Sequence, residues 1–350
     1  MTDSVSSKSL RFRKFRKTGE ATLDDFEIVT ETHADVPDAH LLVRNIFVSC
    51  DPTHRIYLTG EESYVPAFET GGKMPTFIIG EVLKSKLEGH KVGEVVCGFG
   101  AWEEYSVLGK EAVLGKCSPD VPLQSNMAVQ NPVIGLTAWV GTRRICEISK
   151  DKNFVVSGAA GAVGSIACQL GISSGAKVVG ICGSDEKCAW LKSIGCHEAI
   201  NYKKGHVEAE LRKACPDGYD GYFENVGGEI SEAVLRNMKR FGKIALCGFI
   251  SHYNHGAAGG YNMQEVLFRR LTVRGFICLD HFADAPECFG ELQELLRAGK
   301  LECRAHVVDG HEGGKGVEAC VEGLVALTRG LNTGKVMVKL GEAPAGYKLA

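Results

Sequence analysis

No apolar run in this sequence approaches the roughly 20 residues that a membrane-spanning helix needs, so no membrane partner is expected. Nor is one sign of charge in excess. Lysine and arginine number 40 against 43 aspartate and glutamate, leaving a formal net charge of -3. So weak a field offers no counterion release to drive binding to nucleic acid or anionic lipid. Among the 14 cysteines no pair has the C-x-x-C spacing of a zinc or redox motif. They are scattered through apolar segments, as at Cys168, Cys247 and Cys278, which fits buried, reduced thiols and a cytoplasmic location. The basic stretch RFRKFRK (Arg11–Lys17) is flanked by Asp3, Glu20, Asp24 and Asp25 and is followed by no apolar run, so no targeting leader is expected there. It reads as a first strand with a charged, solvated face.

What is present is enough chain for two cores, at 350 residues and 44% hydrophobic side chains. The first part reads as β structure. HLLVRNIFVSC (40–50), FIIGEVL (77–83) and GEVVCGFGAWEEYSVL (93–108) are β-branched or aromatic runs separated by turn residues. At about Asn131 the pattern changes. NPVIGLTAWVGTRRIC has helical apolar spacing, and strands then alternate with helices. Strands are expected at 153–158, 177–182, 199–202, 218–226, 242–249 and 271–278, with helices near 162–174, 184–194 and 230–238. After Leu301 come another apolar run, a helix near 316–327 and a last strand near 334–340. The fold class is α/β: a β-rich domain (1–130 and 305–350) interrupted by a doubly wound parallel-sheet domain (131–304).

The inserted part opens with FVVSGAAGAVGSIACQLG. Gly158-Ala-Ala-Gly161-Ala-Val-Gly164 follows a strand and begins a helix. In that setting small residues let the backbone approach a pyrophosphate, and the helix N-terminus supplies free N–H groups. An NAD site places an acidic residue at the end of the second strand, but here Ile181, Cys182 and Gly183 stand there. Asp185 and Glu186 read instead as the first turn of a helix capped by Ser184. Lys187 then offers a cation for a 2′-phosphate, and Tyr202 a hydroxyl. The expected cofactor is NADPH.

Zinc needs three or four Cys, His or carboxylate ligands at usable positions. Cys50 and His54 are too few, and FIIGEV stands where a zinc enzyme would have Gly-His-Glu, so the two read as local structure; no metal is expected. Without a Lewis acid, reduction of an activated C=C is more accessible than reduction of an isolated ketone. Hydride adds to the β-carbon, and one hydroxyl can steady the enolate oxygen. Tyr253, in CGFISHYN at the carboxyl end of a strand, is the candidate.

Taken in order, GAAGAVGS, VVGICGSDEK, AINYKK, YFENVGG and CGFISHYN resemble the zinc-independent medium-chain dehydrogenase/reductases. Within them the likeness is to the prostaglandin reductases (15-oxoprostaglandin 13-reductases) and the alkenal double-bond reductases. The resemblance covers nearly the whole chain. It implies a GroES-like catalytic domain with an inserted Rossmann domain, use of NADPH, and a homodimer. Matching positions imply cofactor contacts at Gly161, Ala162, Val163, Gly164, Ser184, Lys187, Tyr202 and Asn225. Others are implied at Cys247, Gly248, Phe249, Ile250, Ser251, His252, Tyr253, Phe276, Ile277, Cys278 and Asn332. Phe99, Gly100, Ile277 and Leu279 fall where the substrate lies, and Phe99, Trp102 and Ile277 are expected to form an apolar wall.

Two departures border that pocket. Asp51-Pro-Thr-His-Arg55 stands where the family has Asp-Pro-Tyr-Met-Arg, so Thr53 replaces a tyrosine, and NPVIGLTA stands for Gly-Met-Pro-Gly-Leu-Thr-Ala. The expected reaction is NADPH-dependent reduction of the C=C bond of an α,β-unsaturated ketone or aldehyde, such as a 15-oxoprostaglandin or a lipid-derived alkenal. An NADPH-dependent quinone reductase and a non-catalytic, crystallin-like NADPH-binding protein are the alternatives.

Overall fold

The computed structural model describes residues 4–256 and 262–350. The chain falls into two compact units, Met1–Asn131 with Ala305–Ala350, and Pro132–Arg304. The first unit opens with β1 (Val5–Phe12), β2 (Phe26–His33), β3 (His40–Ser49), β4 (Pro75–Ser85), β5 (Val95–Ala101), β6 (Tyr105–Gly109) and β7 (Val113–Lys116). The second unit carries β8 (Asn153–Ser157), β9 (Lys177–Cys182), β10 (Glu198–Asn201), β11 (Tyr219–Glu224), β12 (Met238–Leu246) and β13 (Thr272–Gly275). The chain then returns to the first unit with β14 (Ala305–Asp309) and β15 (Lys335–Lys339).

In the first unit β1 and β2 form an antiparallel ribbon, and the main sheet runs β14-β15-β3-β4-β5-β7 with β6 added on β3. Side chains along β3 and β4 alternate between two cores. Val43, Val48, Ile78 and Val82 join Leu10, Phe12, Trp102 and Leu324 in one; Phe47, Phe77 and Ile79 join Val95, Met127 and Met337 in the other. With both faces covered, these strands read as unbroken apolar runs. Two expectations need correction. The run 93–108 is two strands, β5 and β6, because the chain turns at Trp102–Glu104 to pair with a different neighbour. The first strand ends at Phe12, inside the basic stretch. Phe12 is buried, and Arg16 leaves the strand direction to hold the buried Asp25 carboxylate through Nε at 2.8 Å and Nη2 at 2.9 Å.

The second unit is a six-stranded parallel sheet in the order β10-β9-β8-β11-β12-β13. Numbered from β8 this is 3-2-1-4-5-6, the doubly wound order of dinucleotide-binding domains, with its switch point between β8 and β11. Val155, Val179, Ile181, Tyr222 and Ile244 fill the core against Leu211, Ile230 and Val234 from the covering helices. The expected strands are present, with ends moved by a few residues; the fifth begins earlier, at Met238. NPVIGLTAWVGTRRIC does not make one regular helix. A short α-helix, Gly135–Trp139, widens into a π-helix over Val140–Ile145. Gly141 in that wide turn lies against the Phe223 ring, where a Cβ would collide. Among the described residues no helix is long and apolar enough to cross a membrane.

Candidate functional site

Parallel pairing in register brings the carboxyl ends of all six strands of the second unit to one edge. Ser157 pairs with Ile181, Asn201 with Cys182, and Glu224 with Leu246, which in turn pairs with Gly275. The loops leaving that edge carry most of the expected site: 158–164 after β8, 183–187 after β9, Tyr202 after β10, Asn225 after β11, 247–253 after β12 and 276–279 after β13. Phe99, Gly100, Trp102 and Asn332 belong to the other unit.

The loop after β8 is built for close approach. Gly158 takes φ +58°, and the Gly161 N–H donates to the Gly158 carbonyl at 3.0 Å, closing a tight turn. Gly161 is the N-cap of the helix Ala162–Ser173 and contributes no side-chain acceptor. The first-turn N–H groups of Ala162, Val163 and Gly164 therefore point into the loop mouth with the positive end of the helix behind them. Gly164 is buried against the loop: a Cβ there would sit 2.8 Å from Ala159 Cα and closer still to the Gly158 oxygen. These residues fit the pyrophosphate of a dinucleotide, since the concavity exists only because side chains are missing.

At the end of β9, Ser184 caps the helix Asp185–Ser193, its Oγ accepting from Lys187 N at 3.2 Å. The Tyr202 ring lies over Gly183, so that a Cβ on Gly183 would be 3.0 Å from the phenol oxygen. Lys187 is half-buried, and desolvation lowers its pKa, with Lys203 adding to the effect. Asp185, the acidic residue nearest the strand end, is committed elsewhere. It accepts from Asn201 Nδ2 at 2.9 Å and pairs with Lys204 Nζ at 2.7 Å, and these two hold its carboxyl below the usual range. The turn thus presents a cation and hydroxyls, which suits a phosphate better than a ribose diol.

The ends of β8, β11 and β12 are laced together. Asn225 donates from its backbone N to Ser157 Oγ at 2.9 Å and from Nδ2 to the Ser157 carbonyl at 2.7 Å. Cys247 N and Gly248 N donate to the Glu224 carbonyl, and Ile250 N and Ser251 N to the carbonyls of Asn225 and Val226. Phe249 and His252 stack at 5.9 Å. Tyr253 lies under this loop, accepting at its phenol oxygen from Phe249 N at 3.3 Å. Burial pushes its pKa up to about 12 against the opposing Phe249 hydrogen bond; the phenol, protonated at neutral pH with or without that shift, can donate. Beyond β13, Phe276 and Cys278 are buried, with Phe276 edge-on to Phe223 at 6.2 Å. Ile277 is half-buried, and Leu279 is exposed.

In the first unit, Phe99 and Gly100 are half-buried at the end of β5, and Asn332 is buried, its Nδ2 donating to the Gly334 carbonyl at 2.8 Å. Trp102 corrects an expectation. It is 0% exposed, packs edge-on to His54 at 4.9 Å and donates from Nε1 to the Ser49 carbonyl at 3.0 Å. A side chain so enclosed is core and offers no wall to a substrate. Cys50 and His54 are equally occupied. The Cys50 thiol donates to the Cys320 carbonyl, and His54 Nδ1 accepts from Asp51 N at 3.0 Å. Lys335 Nζ sits 3.2 Å from Asp51 Oδ1. Among the described residues no three His, Cys, Asp or Glu side chains gather as a metal ion requires.

Sequence reasoning missed Glu224. It is fully buried, and its Oε1 accepts from Ser157 Oγ at 2.9 Å, Val226 N at 2.8 Å and Gly227 N at 3.1 Å, while Ser231 Oγ donates to Oε2. An acidic residue ending the apolar run YFENV was the available signal.

A doubly wound parallel sheet with a side-chain-free loop at a helix N-terminus and a phenol at its carboxyl edge has the layout of a dinucleotide-dependent oxidoreductase. The comparisons agree. The family described as "Zinc-binding dehydrogenase" matches residues 162–297, and "N-terminal domain of oxidoreductase" matches residues 8–115. The chain is 36% identical to a 2-alkenal reductase (NADP(+)-dependent) of Nicotiana tabacum, over 97% of this chain and 98% of that protein. It is 33% identical to prostaglandin reductase 1 of Bos taurus, over 96% and 99%. The crystal structure of CurA from Vibrio vulnificus in complex with NADPH superposes with a TM-score of 0.84 at 29% identity, over 96% of this chain and 99% of that one. The chain belongs to the medium-chain reductase family of the 2-alkenal and prostaglandin reductases.

Proposed function

We propose that this protein reduces the C=C bond of α,β-unsaturated ketones and aldehydes with NADPH. The observation that carries the reading is Tyr253, a half-buried phenol in the loop that leaves the carboxyl end of β12, where a doubly wound sheet presents a bound cofactor. Gly161, Ala162, Val163 and Gly164 hold the pyrophosphate, Ser184, Lys187 and Tyr202 the 2′-phosphate. Asn225 and the segments 247–253 and 276–278 line the remainder. NADPH, when bound, supplies the hydride. Tyr253 donates a hydrogen bond to the substrate oxygen as enolate charge develops there, and solvent returns a proton at the α-carbon. Ile277 and Leu279 offer apolar surface to the substrate, and Phe99, Gly100 and Asn332 are assigned on the resemblance alone.

The relatives' names, a 2-alkenal reductase and a prostaglandin reductase, support alkenals and prostaglandins as the substrate class. NADPH consumption should be measured against a panel of enals, enones, 15-oxoprostaglandins and quinones. Saturated carbonyl products support the reading. Turnover of quinones alone, or NADPH binding with no turnover, replaces it with a quinone reductase or a non-catalytic binder.

The reading includes a homodimer. β13 pairs with β12 on one side only among the described residues, its four residues are exposed, and Met263, Leu267 and Phe268 on the preceding helix are exposed apolar side chains. Such an edge suits pairing with a second copy. Light scattering tests it: twice the chain mass is expected, and the mass of one chain would refute it.

A further inference from the structure

The second strand of the parallel sheet ends in a thiol that faces another. Cys182, the last residue of β9, has its sulfur 3.4 Å from that of Cys188, one turn into the helix Asp185–Ser193. Between them lie Ser184 and Lys187, two of the three residues assigned to the cofactor 2′-phosphate. Ser184 caps the helix by accepting from Lys187 N, and its own carbonyl accepts from the Cys182 thiol at 3.7 Å. Cys168 and Cys196 lie deeper in the same cluster. Of the four, Cys188 alone is partly exposed, so it is the entry point for a soluble reagent.

We propose that Cys182 and Cys188 are a reversible oxidation site, in which a hydroperoxide closes them into a disulfide that disassembles the 2′-phosphate end of the cofactor site. The effect on the cofactor rests on the assignment of Ser184 and Lys187 under Proposed function; the disulfide itself does not. The Cys188 sulfur, as thiolate, attacks the hydroperoxide. An S–O bond forms, the O–O bond breaks, and the departing oxygen takes up a proton to leave an alcohol, or water when the oxidant is hydrogen peroxide. The Cys182 sulfur, having released its proton, then displaces hydroxide from the sulfenic acid. The S–S bond forms and water leaves. Two thiols lose two electrons, and the hydroperoxide gains them. A dithiol reverses the step by exchange.

A disulfide is about 2.05 Å long, so the sulfurs must close by roughly 1.4 Å. That movement removes the Cys182 thiol from the Ser184 carbonyl and draws the first helical turn against the strand end. The Ser184 cap and the Lys187 side chain move with it. Burial raises the pKa of both thiols, that of Cys182 to about 12, so few thiolates form at neutral pH and the pair reacts slowly.

The test treats the full-length protein with hydrogen peroxide, alkylates the remaining thiols and maps the product by mass spectrometry, with NADPH affinity measured before and after. The expected product is a 182–188 link with loss of two hydrogens, reversed by dithiothreitol. NADPH affinity should fall at least about tenfold, the worth of one charge-assisted hydrogen bond. Saturating NADPH should slow the closure, and Cys188→Ser should give neither link nor loss of affinity. A product lacking this link, or a linked protein that binds NADPH as before, overturns the proposal. Failure of the reduced protein to bind NADPH would instead overturn the cofactor reading, while the mapped link still decides the oxidation site.

Discussion

Glu224 and Ser157 join the ends of two adjacent strands through a 2.9 Å hydrogen bond in a fully buried setting. Glu224 ends β11 and Ser157 ends β8, the two strands that flank the switch point of the sheet. The same carboxylate collects the N–H groups of Val226 and Gly227 and the Ser231 hydroxyl. A carboxylate accepts at every lone pair, so one side chain satisfies four donors that would otherwise be buried unpaired. Its work is positioning: it sets the direction in which Asn225 and the loop leave the sheet.

Replacing Glu224 by Gln keeps the shape and turns one acceptor into a donor facing N–H or O–H groups. We expect Glu224→Gln to cost about 2–4 kcal/mol of stability, the penalty for leaving buried donors unsatisfied. Denaturant unfolding measures it. NADPH affinity should fall as well, because Ser157, the residue that holds Asn225, loses its acceptor, and a variant as stable as the parent would remove Glu224 from this role.

His54 sets a pH limit on stability. Burial lowers its pKa to about 4, a cost of charging that the nearby Asp51 only partly offsets. In the unfolded chain the imidazole titrates near its ordinary 6.5. Between these values the unfolded state binds a proton that the folded state refuses, so stability declines as pH falls from about 6.5 towards 4. The loss is of order 3 kcal/mol. Asp51 behaves differently. Burial opposes its ionisation, yet Lys335 and His54 outweigh burial and leave its pKa below the ordinary range, so its contribution is lost only at still lower pH. Chemical unfolding across pH 4–7 should show the slope, and His54→Asn, which keeps an acceptor for the Asp51 N–H, should flatten it. An unchanged slope in that variant would assign the titration to another group.

We assign the preference for NADPH over NADH to Lys187. Lys187→Glu places a negative charge where the 2′-phosphate would lie. NADPH affinity should fall by about tenfold to a hundredfold, from a lost ion contact and added repulsion, while NADH affinity is kept or improved. Titration with both nucleotides tests this, and equal losses for the two would show that Lys187 does not sense the 2′-phosphate.

The parallel sheet was legible because its central strands are apolar runs ended by small or polar residues. NFVVS and KVVGIC are covered on both faces, and the loop glycines mark where the backbone must turn. Trp102 was misjudged because an aromatic beside Phe99 reads the same whether it faces a ligand or the core; His54 and Ser49, distant in sequence, close over it. The π-helix at Val140–Ile145 carries no local signal in the sequence; the contact made there, Phe223 against Gly141, joins it to a strand some eighty residues further on. Glu224 and the Cys182–Cys188 contact depend likewise on register between strands or on a helix folding back, which spacing along the chain does not reveal.

The most direct measurement of the central claim is steady-state kinetics of Tyr253→Phe with NADPH and a reactive enone. The variant keeps the ring and removes only the hydroxyl that is to steady the developing enolate. We expect kcat to fall by about a hundredfold or more, with the apparent affinity for NADPH little changed. Turnover equal to that of the parent enzyme across several enones would contradict the role assigned to Tyr253.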